Sequence, residues 1–222
     1  MYNKNNQTTA LRSRMRIMLI AASAVAFMTG ATISKAAPPA TVDIQILSIS
    51  DWHAQLDSLF IFPVGSFGGA AELSAYFQAE RAANPNTLTL TAGDAFGGSP
   101  PLSAFFDEEP AVEAMNLMGF DVDTFGNHNF DGGIGELQDR IDQADFQYVS
   151  ANLKNRDDNL SGVKDYAIFD LGGVKVGVVG ITNPDAPTLV FPGNFGTIEV
   201  TDPLVAARKA KGRAIGDGAR VM

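Results

Sequence analysis

The chain has 222 residues, 45% of them hydrophobic and 18% charged, with no cysteine and a net charge of −9. That composition supports one sizeable core and excludes the disordered, fibrous and disulfide-stapled classes, and without thiols no thiolate metal site exists. An acidic surface does not hold nucleic-acid polymers by general attraction to their backbones.

Residues 1–36 carry Lys4, Arg12, Arg14, Arg16 and Lys35 without a single acid, around an apolar run from Ile17 to Ile33. This is the layout of a signal peptide, with Ser34 and Ala36 at a small-residue cleavage site and residues 37–41 as a mature N-terminal tether. The alternative is a retained membrane anchor, for which the run is short, since a span needs about 20 apolar residues. The reading is an exported protein, periplasmic or extracellular, with no stable membrane insertion after signal cleavage. Cleavage removes five of the 16 basic residues and none of the 25 acidic ones, leaving 11 against 25 and a mature charge of −14. A phosphate site on such a chain needs a local source of positive charge, and bound metal ions supply one.

From residue 42 onward, strand-like and helix-like runs alternate. Val42 to Ile49 reads as a strand, and Asp51 and His53 follow its end. Ser58 to Phe67 is aromatic and broken by Pro63, which predicts a loop, and Gly68-Gly69 then open an Ala-rich helix over 70–83. That glycine-rich entry lacks the Gly-Lys-Ser/Thr ending of a phosphate loop. Thr87 to Thr91 alternates Thr with Leu as a strand does and delivers Gly93-Asp94 into a loop rich in Gly and Pro.

Glu109 to Met118 reads as a helix ended by Gly119, and Val122 to Phe125 as a short strand running into Gly126-Asn127-His128-Asn129-Phe130-Asp131. Gly132-Gly133 open a further helix to Ala144, and Phe146 to Val149 is a strand followed by Asn152, either a neighbour of the site or a turn-capping residue. Tyr166 to Ile181 predicts a hairpin about Gly172-Gly173, residues 184–195 are irregular, and Asp202 caps a helix from Pro203 to about Arg213. Ala219 to Met222 reads as the first residues of one more strand. The rhythm predicts a layered α/β domain over 42–222, with a mixed, largely parallel sheet and at least one antiparallel hairpin.

Three strand ends thus deliver Asp51-Trp52-His53, Gly93-Asp94 and the Gly126–Asp131 stretch to one sheet edge, the usual place for a site in such folds. Carboxylate, amide oxygen and imidazole together suit Zn, Mn, Fe or Mg. In this order, and with the flanks Leu90-Thr91-Ala92-Gly93-Asp94 and Gly126-Asn127-His128-Asn129-Phe130-Asp131-Gly132-Gly133, the motifs resemble the calcineurin-like metallophosphoesterases. Together with Glu109-Pro110-Ala111-Val112-Glu113-Ala114-Met115-Asn116, they are similar to the secreted 5′-nucleotidase and 2′,3′-cyclic-nucleotide phosphodiesterase family over about residues 42–220.

The resemblance implies a metallophosphoesterase-like sandwich and two divalent metal ions. Asp51 and His53 would hold the first ion, Asp94 would bridge both, and Asn127 would hold the second. His128 would act on the scissile phosphate as general acid or electrostatic stabiliser, oriented by Asp131. The implied reaction is hydrolysis of a small phosphoester, a nucleotide first among them, by in-line attack of a metal-activated hydroxide. Asn129 stands where the family usually has Glu. The family completes its metal shells with later histidines, whereas this chain has only His53 and His128, and it carries a C-terminal region that holds the nucleoside base. The resemblance therefore implies an N-terminal part, truncated at the C-terminus and impaired alone. The alternatives are a phosphatase for non-nucleotide esters and a non-catalytic exported binding module on the same scaffold.

Overall fold

Parallel strands buried between layers set the architecture. The structure, a computed structural model, describes residues 41–222; the leader at 1–36 and all but the last residue of the tether at 37–41 lie outside the described residues. β1 (Gln45–Ile49) pairs in parallel with β4 (Thr87–Thr91), Gln45 facing Thr87 and Ile49 facing Thr91. The strand starts three residues later than the β-branched pattern from Val42 predicts, because a ladder begins only where its partner does and β4 emerges from the Asn84-Pro85-Asn86 turn.

Between them, β2 (Leu59–Ile61) and β3 (Gly65–Phe67) form an antiparallel hairpin where the sequence predicts a loop. Its large side chains, Phe60 and Phe62 among them, are mostly exposed, so no alternation of buried and polar positions marks the pairing. α1 (Ala70–Ala83) follows within the predicted bounds and buries Phe77. In its last turn, Arg81 donates to the Met118 carbonyl at 2.7 Å and the Thr89 hydroxyl at 2.6 Å, tying helix to sheet.

After β4 comes a short helix, α2 (Pro101–Ala104), inside the segment read as loop, with Pro at its first position. α3 (Glu109–Met118) ends at Gly119 as predicted, and β5 (Val122–Asp123) leads through a single 3₁₀ turn at His128–Phe130 into α4 (Gly133–Gln143) and β6 (Gln147–Tyr148). The sheet order is β1-β4-β5-β6, every pairing parallel. α1, α3 and α4 pack on it through Phe77, Val112, Met115 and Leu137. Because the strands are parallel, their carboxyl ends all lie along one edge.

β7 (Leu153–Lys154) pairs antiparallel with β10 (Glu199–Val200), a pairing of two-residue strands that no sequence period marks. β8 (Tyr166–Leu171) and β9 (Val174–Val179) form the predicted hairpin, and the turn residues Gly172 and Gly173 have φ of 61° and 87°, a conformation L side chains resist. The hairpin packs Val176 and Leu171 against Leu88 of the parallel sheet, in a cluster separate from the one under the helices. α5 (Pro203–Gly216) lies on the hairpin, begun by Pro203 and capped by Asp202, whose carboxylate accepts from the Val205 amide at 2.8 Å. Helices, parallel sheet, hairpin and α5 make the layered α/β fold, with parallel and antiparallel pairings kept in separate sheets. Val221 bridges Val176 in parallel, the strand onset expected there.

Candidate metal centre

The parallel register of β1 and β4 carries the two chains off the sheet side by side, and their turns stay paired beyond it. The amides of Asp51, His53 and Ala54 donate to the carbonyls of Gly93, Asp94 and Ala95 at 3.3, 3.0 and 2.8 Å. Asp51, His53, Ala54 and Asp94 all have φ near +50°, so four positions on two neighbouring turns hold a conformation uncommon for side-chain-bearing residues. Such local strain persists only where surrounding structure enforces it, and it concentrates at functional sites.

The third loop closes on these turns. Its His128 amide donates to Asp94 Oδ1 at 2.8 Å, and the amides of Gly126 and Asp94 both donate to Asn129 Oδ1, at 2.9 and 3.2 Å. A Cβ on Gly93 would lie 2.4 Å from the Gly126 amide nitrogen, and one on Gly126 would lie 2.1 Å from Asp94 Oδ1, so only glycine allows the two loops this approach. From beneath, fully buried Phe130 anchors the loop by stacking on Phe195 at 3.8 Å between ring centres.

Asp51, His53 and Asp94 each place a ligand atom within 4.8 Å of the others. His53 Nδ1 lies 2.7 Å from the Gly97 carbonyl; with the proton on Nδ1, that bond fixes the ring and leaves Nε2 free to coordinate. The His128 ring stands edge-on to His53, 5.0 Å between centres, and its Nδ1 lies 2.7 Å from Asp131 Oδ2. Asn127 sits one residue before His128 in the same turn. All six residues singled out in the sequence therefore belong to one edge of the sheet.

Burial pushes the Asp94 carboxyl above its ordinary range, with Asp51 adding to the rise and the His128 amide and both imidazoles opposing it. Two carboxylates this close favour a compensating cation, and oxygen and imidazole donors suit a hard or borderline divalent ion. The residues present thus fit a metal site.

Two features escaped the sequence reading. Asn129 touches the Asp94 amide directly, although the sequence shows only an amide in place of a carboxylate. Asp123, at the end of β5, is fully buried and pushed up to about 7, chiefly by burial and further by the Asp94 charge, while the Thr124 amide opposes the rise. Nothing in a β-like Val-Asp-Thr run announces that inward-facing carboxyl. Asn152, left open between two roles, is a clamp: buried, it accepts from the Thr182 amide at 2.9 Å and donates to the Thr182 carbonyl at 2.7 Å.

No family profile matches the chain. It is 32% identical over 193 residues to the endonuclease YhcR of Bacillus subtilis, covering 78% of this chain and 16% of that protein. Among solved structures, a 5′-nucleotidase precursor from Thermus thermophilus superposes with a TM-score of 0.69 at 31% identity, over 79% of this chain and 35% of that one. The calcineurin-like phosphoesterase YfkN of Bacillus subtilis superposes with a TM-score of 0.65 at 28% identity, over 79% and 59%.

The chain belongs to the calcineurin-like phosphoesterases. It corresponds to the N-terminal part of the 5′-nucleotidase type of that family, and it spans about a third or less of the 5′-nucleotidases it matches. Within this calcineurin-like domain, no helix among the described residues is long and apolar enough to cross a membrane.

Proposed function

We propose that this chain carries the divalent-metal centre of an exported phosphoesterase that hydrolyses small phosphoesters, nucleotides first among them. The observation that carries the reading is the convergence of Asp51, His53 and Asp94, with the His128–Asp131 pair beside them. Names of relatives and neighbours, among them 5′-nucleotidases, support the substrate class. The basic, acid-free leader followed by an apolar run supports export.

Asp51, His53 and Asp94 would hold the ions, with Asn127 adding an amide oxygen. When bound, divalent ions offset charge on phosphoryl oxygens and activate water. The other roles fall to the chain itself. Asp131 holds His128 through Nδ1, which leaves Nε2 to address the ester and deliver a proton to the departing oxygen. The His128 amide bond to Asp94 Oδ1 ties the loop that carries this imidazole to the Asp94 turn. Of the two histidines within these 222 residues, one faces the substrate in this scheme, and His53 is the imidazole that this stretch offers to the metals. With one imidazole among its donors, this set is expected to bind divalent ions weakly by itself.

The test is hydrolysis of AMP, a sugar phosphate and a generic aryl phosphate by the purified chain, with and without Mn²⁺ or Zn²⁺. Single-stranded DNA completes the panel, because one relative is named an endonuclease. The reading expects slow, metal-dependent phosphate release and no cleavage of the polymer at a mature charge of −14. Metal-independent release would remove the centre from the reaction, and metal binding without any release would leave a binding module.

A further inference from the structure

We propose that Asn129 is a positioning residue, whose side-chain oxygen holds the Asp94 turn and the Gly126 turn in the register that presents Asp94, and the loop carrying His128, to a divalent ion and its phosphoester. The inference deepens the phosphoesterase reading and rests on it.

One oxygen serves two loops. Asn129 Oδ1 accepts from the amides of Asp94 and Gly126, which are separated by more than thirty residues of chain. Asp94 answers through its own Oδ1, which accepts from the His128 amide, so the two loops are cross-linked in both directions. Asn129 is 3% exposed, and its Nδ2 is buried without a hydrogen-bond partner among the described residues. A polar group half satisfied in this way is costly to bury, so hydrogen-bond saturation does not explain an amide here; what is used is the oxygen.

The chemistry gives the oxygen its task. Asp94 holds φ of 50°, a conformation that a free turn leaves readily, and its amide is pinned by Asn129 alone among the side chains described. Releasing that amide lets the Asp94 carboxylate turn away from Asp51 and His53 and slackens the turn that carries His128. A neutral amide makes the contact without adding a third anion beside Asp51 and Asp94. It therefore leaves the charge of the centre to be balanced by the ions.

The experiment compares Asn129→Leu and Asn129→Asp with the parent chain by amide hydrogen exchange, Mn²⁺ calorimetry and thermal unfolding. Leucine keeps the bulk and removes the oxygen. Exchange at the Asp94 and Gly126 amides should accelerate at least about tenfold, and Mn²⁺ affinity should fall about 10- to 100-fold, the usual cost of losing a residue that orients a ligand. Aspartate restores the oxygen and should recover protection at both amides. Should Asn129→Leu fail to fold, Asn129→Ala, which also removes the oxygen, is read in the same way. Unchanged exchange at the two amides with unchanged Mn²⁺ affinity overturns the proposal, as does acceleration spread evenly over the whole domain. These readouts need no turnover: a parent chain that binds Mn²⁺ without hydrolysing phosphoesters defeats the functional reading and leaves the positioning role to be judged by exchange.

Discussion

Two buried asparagines each fasten distant loops, and they do so in different ways. Asn152 uses both ends of its amide: Oδ1 accepts from Thr182, while Nδ2 donates to the carbonyls of Thr182 and Thr201 at 2.7 and 3.2 Å. Asn129 uses only its oxygen, and one of the two turns it holds carries Gly93 and Asp94 at positive φ. The saturated amide ties the chain after β6 to the segments that follow β9 and β10. The half-satisfied one sits where Asp51, His53 and Asp94 converge. Full satisfaction marks a place built for stability, and tolerated strain marks a place built to present groups to something outside the chain.

The sharpest break of this contrast is Asp94→Asn. It removes a carboxylate already pushed up by burial, so folding should be unharmed, while metal-dependent turnover should fall about 1000-fold, roughly 4 kcal/mol in the barrier. Steady-state kinetics beside a melting curve separate the two effects.

Asn152→Leu should behave in the opposite way. With the Thr182 amide and two carbonyls stranded, denaturant unfolding should show a loss of about 2–4 kcal/mol, with Mn²⁺ affinity unchanged in the molecules that remain folded.

Asp123 offers a titration. Its native carboxyl at about 7 lies above the ordinary 3.8, so the folded state holds a proton that the unfolded chain releases. That contribution to stability is fully present below the ordinary value and is lost as pH rises through the raised one. Asp123→Asn should remove this slope and raise stability at pH 8 by about 1–3 kcal/mol, read by chemical denaturation across pH.

The smallest effect belongs to Asp165, between Arg156 and Arg213. Burial alone would raise its carboxyl, but the two guanidinium groups outweigh it and hold the pKa below the ordinary value. Stability from this group is therefore present above the ordinary carboxylate range and lost as pH falls through the lowered pKa. Asp165→Asn should cost about 1 kcal/mol in thermal unfolding, with no effect on metal binding.

Much of the fold is legible in the residues. Thr87–Thr91, Ala70–Ala83 and Glu109–Met118 carry strong local patterns, and the structure keeps those bounds. The three site motifs can be placed because each follows a strand end, and parallel strands share an edge. What is hidden depends on partners far along the chain. The exposed hairpin at Leu59–Phe67 has no buried face to set a period, and β7 and β10 are each two residues long. Asn129 shows only as a departure from a familiar pattern, and its meaning lies in two backbone amides that no spacing reveals.

The most direct test of the central claim is calorimetric titration of the purified chain and its Asp94→Asn variant with Mn²⁺. The convergence of Asp51, His53 and Asp94 predicts saturable binding to the parent chain, weak but measurable, and its loss in the variant with the fold intact. Equal binding by both proteins would contradict the assignment of this sheet edge as a metal centre.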